Sequence, residues 1–208
     1  MNHDATIARA RFIDQSVEVC QVFSFASPVE IIRALQVYCS SQYGSMLWEL
    51  GGEAATQYCN AWSTAIKLAW QCPRATRSYL LQQVLACGST SAQIAIRSRY
   101  TKFCLGLHSS SSREVAVLFH FLARDIRSTT GNNLRILREE ADVNIWTDST
   151  ASVRAKLAES ETVEVAEIDK WRVRYLGILL EQRQQWHYMG EEEEVEKVQK
   201  LIDSLCVN

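Results

Sequence analysis

Only two prolines and eight glycines interrupt 208 residues, less than half of what average usage would supply. A sheet protein needs turn chemistry at every hairpin, and a disordered chain is enriched in these same residues. Both are disfavoured, and an all-α bundle of about eight to nine helices is expected. Hydrophobic content of 47% against 22% charge lies far from the signature of disorder, so the chain is expected to fold.

The densest apolar stretch, Val115 to Ala123, is broken by His120 and falls short of the ~18 apolar residues a membrane span needs. The first residues carry Asp4, Arg9 and Arg11 with no apolar run behind them, unlike a secretory signal. Seven cysteines, an odd number with no Cys-x-x-Cys pair, suit a reducing compartment. An intracellular chain, cytoplasmic or nuclear and without a membrane partner, is the expectation.

Local patterns place the helices. Asp4 opens a first helix running to about Phe23, with Ile13, Val17 and Cys20 on one face. Ser27-Pro28-Val29-Glu30 is a capping box with proline at the first helical position, followed by Ile31, Leu35 and Tyr38 at helical spacing. After Gly51-Gly52, Cys59, Trp62, Ile66 and Trp70 share a face up to the stop at Pro73. A short helix from Thr76 to Ala86 closes at Gly88, and Ser89 or Thr90 caps the next, whose inner face is Ile96, Tyr100, Phe103 and Leu107.

Ser111-Ser112-Arg113-Glu114 repeats the box pattern and opens the most regular amphipathic segment, with Val115, Leu118, Phe119, Leu122 and Ile126 inward and Gly131 at its close. Weaker helices follow at Asn132 to Glu140 and Asp148 to Ala158. A strong one carries Ile168, Trp171, Tyr175, Ile178, Leu179 and Trp186 as far as Gly190, and a last one carries Val195, Val198, Ile202 and Leu205. Glu191 to Glu194 suit the positive end of that last helix's dipole.

The net charge of −2 conceals an asymmetry. Residues 1–53 hold 3 basic and 6 acidic side chains, 54–138 hold 11 basic with only Glu114 and Asp125 as acids, and 139–208 hold 8 basic against 16 acidic. The change of charge, with the weakening of periodicity over Asp142 to Ser149, separates a basic helical region, 51–141, from an acidic helical region, 142–208. A basic block suits a polyanion, and it equally suits neutralisation by an acidic neighbour within the fold. Arg113, His120, Arg124 and Arg127 fall on one narrow stripe of the Val115 to Ile126 helix, opposite its apolar face and without an acid among them. Such a stripe is a phosphate contact or an ordinary solvated face.

Other chemistry finds less support. Cys104 and His108, four apart, offer two metal ligands on one helix face, but no second pair completes a site and packing explains them. None of the cysteines sits in a nucleophile signature, and the glycines lack the strand–glycine–helix context of a phosphate loop. The tryptophans fall mainly on apolar faces as core residues. No catalytic residue, metal site or cofactor is assigned.

Leu35-x-x-Tyr38-x-Ser40 with Tyr43-Gly44-x-x-Leu47-Trp48 resembles the thumb region of non-LTR (LINE) retrotransposon reverse transcriptases of the jockey and related groups. Asn60-Ala61-Trp62, Ala65-Ile66-Lys67-Leu68, Cys72-Pro73-Arg74-x-Thr76-Arg77 and Leu80-Leu81 follow in the order of that family's post-thumb helix. Ala123-Arg124-Asp125-Ile126, Thr130-Gly131-Asn132-Asn133-Leu134, Trp171-Arg172, Tyr175-Leu176 and His187-Tyr188-Met189-Gly190 resemble its tail. The resemblance runs from about Arg9 to the end.

It implies that residues 1–50 are thumb-like helices normally resting on a palm domain. The chain lacks the aromatic-Ala-Asp-Asp turn that carries metal-binding carboxylates in this family of RNA-directed DNA polymerases, and it has no Asp-Asp pair. The implied role is therefore a non-catalytic C-terminal fragment that binds the backbone of an RNA–DNA hybrid or duplex irrespective of sequence. Arg74, Arg77, Arg97, Arg99, Lys102, Arg113, Arg124, Arg127, Arg135 and Arg138 are the candidate contacts. Self-association through an exposed thumb face is expected if the palm is missing. The alternative is a helical protein-interaction module with no nucleic-acid role, in which the basic middle pairs with the acidic region.

Overall fold

The computed structural model describes residues 2–40, 42, 44–84, 91–161 and 163–206. Among them stand ten α-helices and no strand: α1 (Asn2–Val22), α2 (Pro28–Ala34), α3 (Glu53–Ala69), α4 (Ser78–Val84), α5 (Ala92–His108), α6 (Arg113–Arg124), α7 (Thr129–Ala141), α8 (Thr150–Glu159), α9 (Val165–Met189) and α10 (Glu192–Cys206). The all-α architecture is as expected. None of the described helices is long and apolar enough to cross a membrane.

The chain packs as two units, each built from three separated stretches. Met1–Ala10, Ser41–Asn60 and Ser91–Thr162 form the first, and Arg11–Ser40, Ala61–Thr90 and Val163–Asn208 form the second. Packing thus follows a different division from charge. The first unit holds eleven basic and eleven acidic residues, so the eight cations of the basic block that fall in it are balanced in number by acids of the same unit.

In the first unit α5 packs on α6, α8 and the 3-10 turn Ser45–Leu47, while α7 packs on α6 and α8. Tyr100, Cys104, Phe119, Leu137, Ala141, Val143, Ile145, Val153 and Leu157 form its apolar core. Serine hydroxyls cap these helices by accepting an amide three residues on: Ser91 from Ile94, Ser112 from Val115, Ser128 from Gly131 and Ser149 from Ser152. The α5 cap is therefore Ser91; Gly88, Ser89 and Thr90, like Tyr43, lie outside the described residues.

Gly131 does not close α6. It is buried in the first turn of α7, where an added Cβ would stand 2.2 Å from the Asp125 carbonyl oxygen. Asp125, in extended conformation, ends α6 at Arg124.

A buried amide ties this unit together. The Asn133 side chain, wholly enclosed within α7, accepts from the Leu50 amide at 2.8 Å and donates to the Trp48 carbonyl at 2.8 Å. Trp48, itself buried, lies edge-on to Tyr58 with ring centroids 5.3 Å apart.

In the second unit the Ser27 capping box forms as expected, with Glu30 accepting from the Ser27 amide at 2.8 Å. The chain then widens into a π-helical turn, Leu35–Cys39. The wider turn puts Cys39 rather than Tyr38 over Leu35, which corrects the expected inner face: Ile31, Ile32, Leu35 and Cys39 are buried, and Tyr38 is exposed. On α1 the buried residues are Ala5, Phe12 and Ser16, not Ile13 and Val17; the Phe12 ring packs 5.4 Å from that of Trp62. The expected faces of α3 and α10 are present, with Trp62, Ile66 and Trp70, then Val198, Ile202 and Leu205, buried. The Tyr175 hydroxyl donates to the Trp70 carbonyl, and burial holds that phenol above its ordinary range, so it remains a donor.

Replacing Asn133 with alanine should lower the unfolding free energy by about 2–4 kcal/mol in urea titration. The change strands one donor and one acceptor in the interior.

Candidate nucleic-acid interface

Of the ten basic residues expected to meet phosphate, Arg74 and Arg77 belong to the second unit and the other eight to the first. Arg97 is closed to any ligand. It is only 5% exposed, because it sits one position from buried Ile96 on the inner half of α5. Its guanidinium pairs with Glu140, and Glu161 lies in its field. A guanidinium taken out of water requires such acidic company. Burial pushes the Glu161 carboxyl above the usual range, against the opposing pull of the Ser91 hydroxyl 2.9 Å away and of Arg97.

Three more candidates are engaged at the surface. Arg77 donates to the Tyr79 hydroxyl at 2.8 Å and stands 3.6 Å from Glu167. Arg127 pairs with Asp125 at 3.2 Å, and Arg135 with Glu139 at 2.6 Å. Exposed pairs of this kind are worth little and are readily exchanged for another anion.

The remaining six are exposed and make no ion pair among the described residues: Arg74, Arg99, Lys102, Arg113, Arg124 and Arg138. Five of these lie on α5, α6 and α7 of the first unit. Arg99, Lys102, the half-exposed Phe103 and Gly106 share the outer side of α5, opposite buried Tyr100 and Cys104.

The stripe expected on α6 does not form as one surface. Helix α6 stops at Arg124, so Arg127 lies beyond it. His120 turns inward: its ring stacks on Trp146 at 4.6 Å with 20° between planes and meets His108 edge-on at 5.1 Å. Phe119 is the one buried large residue of α6, flanked by half-buried Ala116 and Ala123.

Small residues at i−3 and i+4 let the helix approach its neighbours, and they select this face over the one lined by larger side chains. Val117 at 60%, Leu118 at 59%, Phe121 at 71% and Ile126 at 66% exposure are left outside, so four expected core residues, Val115, Leu118, Leu122 and Ile126, are surface residues. The Ala116-Phe119-Ala123 spacing is the sequence signal for this orientation. It is masked by the stronger pattern of bulky residues.

A cleft of about 250 Å³ opens beside this helix, floored by Ala123, Leu134, Val143 and Ile145, with Trp146 and Arg138 at its edge. Among the described residues no three histidine, cysteine or acidic side chains gather in a metal-binding cluster. Cys104 is buried beside Tyr100, and His108 packs against Trp146 rather than sharing a ligand site with it.

Burial pushes the Cys59 and Cys104 thiols up to about 11 and the Cys72 thiol up to about 12, so these cysteines are poor nucleophiles. Exposed Cys206 is the contrast. Treated with iodoacetamide at mildly alkaline pH, the folded chain should label Cys206 well before Cys59, Cys72 and Cys104, which lag until denaturant is added, as peptide mass mapping would report. Arg97→Gln should destabilise by about 1–3 kcal/mol in urea, because it leaves Glu140 and Glu161 without their cation, whereas Arg99→Gln should stay within about 0.5 kcal/mol. Comparison with family models, curated proteins and solved structures finds no match for this chain.

Proposed function

We propose that this chain is a non-catalytic, C-terminal thumb and post-thumb region of a non-LTR retrotransposon reverse transcriptase, and that it contributes sequence-independent binding to the backbone of duplex or hybrid nucleic acid. The observation that carries the reading is the set of five exposed cations on α5, α6 and α7, namely Arg99, Lys102, Arg113, Arg124 and Arg138, which no acid of the described residues pairs. A cation left open in a unit with as many acids as bases is free to meet phosphate. Buried Arg97 is withdrawn from the contact set, and Arg77, Arg127 and Arg135 join it only by exchanging their acids for phosphate.

The family motifs support the same reading from another side. Trp48 and Asn133, drawn from two of the segments that carry the resemblance, are joined by a hydrogen bond, and Tyr175 of a third donates to Trp70, two residues before Cys72-Pro73. These residues work in the scaffold and leave ligand contact to the surface. Exposed Ile13, Val17, Val22, Phe25, Val37 and Tyr38 in the thumb-like part form the kind of apolar surface a palm domain would cover. That same exposure favours the second reading, a helical module that docks on protein without a nucleic-acid role.

Fluorescence anisotropy with labelled duplex and hybrid of unrelated sequences separates the two readings. The parent chain should bind them alike, with affinity that falls steeply as salt rises. Arg99→Gln combined with Lys102→Gln should flatten the slope of log K against log salt by roughly 0.9 per lost phosphate contact on B-form DNA. Absence of salt-sensitive binding below ~100 µM, the weak end of non-specific affinity, would overturn the nucleic-acid reading in favour of the protein-docking one.

A further inference from the structure

Helix α6 is the most amphipathic long helix of the first unit, yet it faces the core with only one large residue, Phe119. Val117, Leu118, Phe121 and Leu122 lie on its solvent side, and Ile126 extends the strip past the helix end. Val117, Leu118, Phe121 and Ile126 are each more than half exposed, and an apolar strip of this length is uncommon on a monomer.

The charges at its two ends are ordered. Glu114 and Arg113 open the helix, Arg124 and Asp125 close it, and of these only Asp125 is in an ion pair, with Arg127. The exposed Glu114 carboxylate accepts from the Ser112 hydroxyl at 2.7 Å.

We propose that the apolar face of α6 is the contact surface of a homodimer, in which two copies of α6 pair antiparallel about a two-fold axis. The order of residues selects this occupant. An antiparallel register that sets Val117 of one copy opposite Phe121 of the other also sets Glu114 opposite Arg124 and Arg113 opposite Asp125, and the two-fold axis repeats every contact. A parallel pair would instead stack Glu114 on Glu114 and Arg124 on Arg124. The face is self-complementary in apolar surface and in charge, which is what an isologous contact requires.

A strip contributed by one twelve-residue helix per copy is small beside standard interfaces, so the dimer is of micromolar rather than nanomolar strength. This inference concerns a different surface from the exposed residues of α1 and α2; in the dimer Arg113 and Arg124 face acids of the partner copy, and Arg99, Lys102 and Arg138 remain the cations open to phosphate.

Sedimentation equilibrium on the nuclease-treated, full 208-residue chain tests it, since nuclease treatment removes any bridging nucleic acid. The parent should move from the protomer mass of 23.6 kDa to twice that mass across the micromolar range. Phe121→Asp should abolish the dimer while leaving the far-ultraviolet circular dichroism unchanged, because the ring it removes is exposed. Glu114→Arg alone and Arg124→Glu alone should each weaken association about tenfold, and the two together should restore it to within about threefold of the parent.

A parent chain that stays monomeric throughout would overturn the proposal and leave the face to another protein. A dimer indifferent to Phe121→Asp, or a double variant as weak as the single ones, would overturn it equally.

Discussion

The carboxamide of Asn133 holds together two parts of the chain that sequence keeps far apart. By accepting from Leu50 and donating to Trp48 it fixes the short turn before α3 against α7. That turn is also the one on which α5 packs. A side chain wholly enclosed can supply both a donor and an acceptor only if both are used, so the site tolerates neither an apolar residue nor a charged one. Trp48 is positioned as a consequence, and with it the edge-on contact to Tyr58.

Pairing decides which charges remain open. Arg97 is drawn inward by Glu140 and Glu161, and Lys156 is held between Asp142 and Asp148 at 3.3 and 3.0 Å. Hydrogen bonds from the Asn144 amide and from Lys156 hold the Asp148 carboxyl below its usual range, so the clasp keeps its charged form at lower pH than an unpartnered aspartate would. On α10 the acids of the first turn turn to Lys197 on their own helix. The acidic end of the sequence therefore consumes part of its charge locally.

The legible parts of this fold are those where one local signal had no rival. Ser27-Pro28-Val29-Glu30 gives a capping box, and α10 has a single apolar stripe among charged and polar residues. Helices with two plausible faces turn the other one inward. On α6 the bulky stripe outweighs Ala116, Phe119 and Ala123, but close approach of helices rewards the small residues. On α2 a helical spacing of Ile31, Leu35 and Tyr38 presumes regular winding, which the π turn at Leu35–Cys39 breaks. Among the candidate contacts, composition identifies cations and says nothing of depth: Arg97 and Arg99 differ by half a turn of α5 and have opposite fates.

The interleaving of the two units has a consequence for synthesis. Each needs three stretches of chain, and the first is not complete until residue 162 has been made, the second not until the last stretch, beginning at Val163, has followed. A nascent chain emerging from the ribosome thus carries helices with exposed apolar sides for most of its translation, and local helix formation must run far ahead of tertiary closure. The contact between Asn133 and Trp48 closes a loop of more than eighty residues, which places it among the late events. Truncation at any internal point removes part of a unit rather than a whole one.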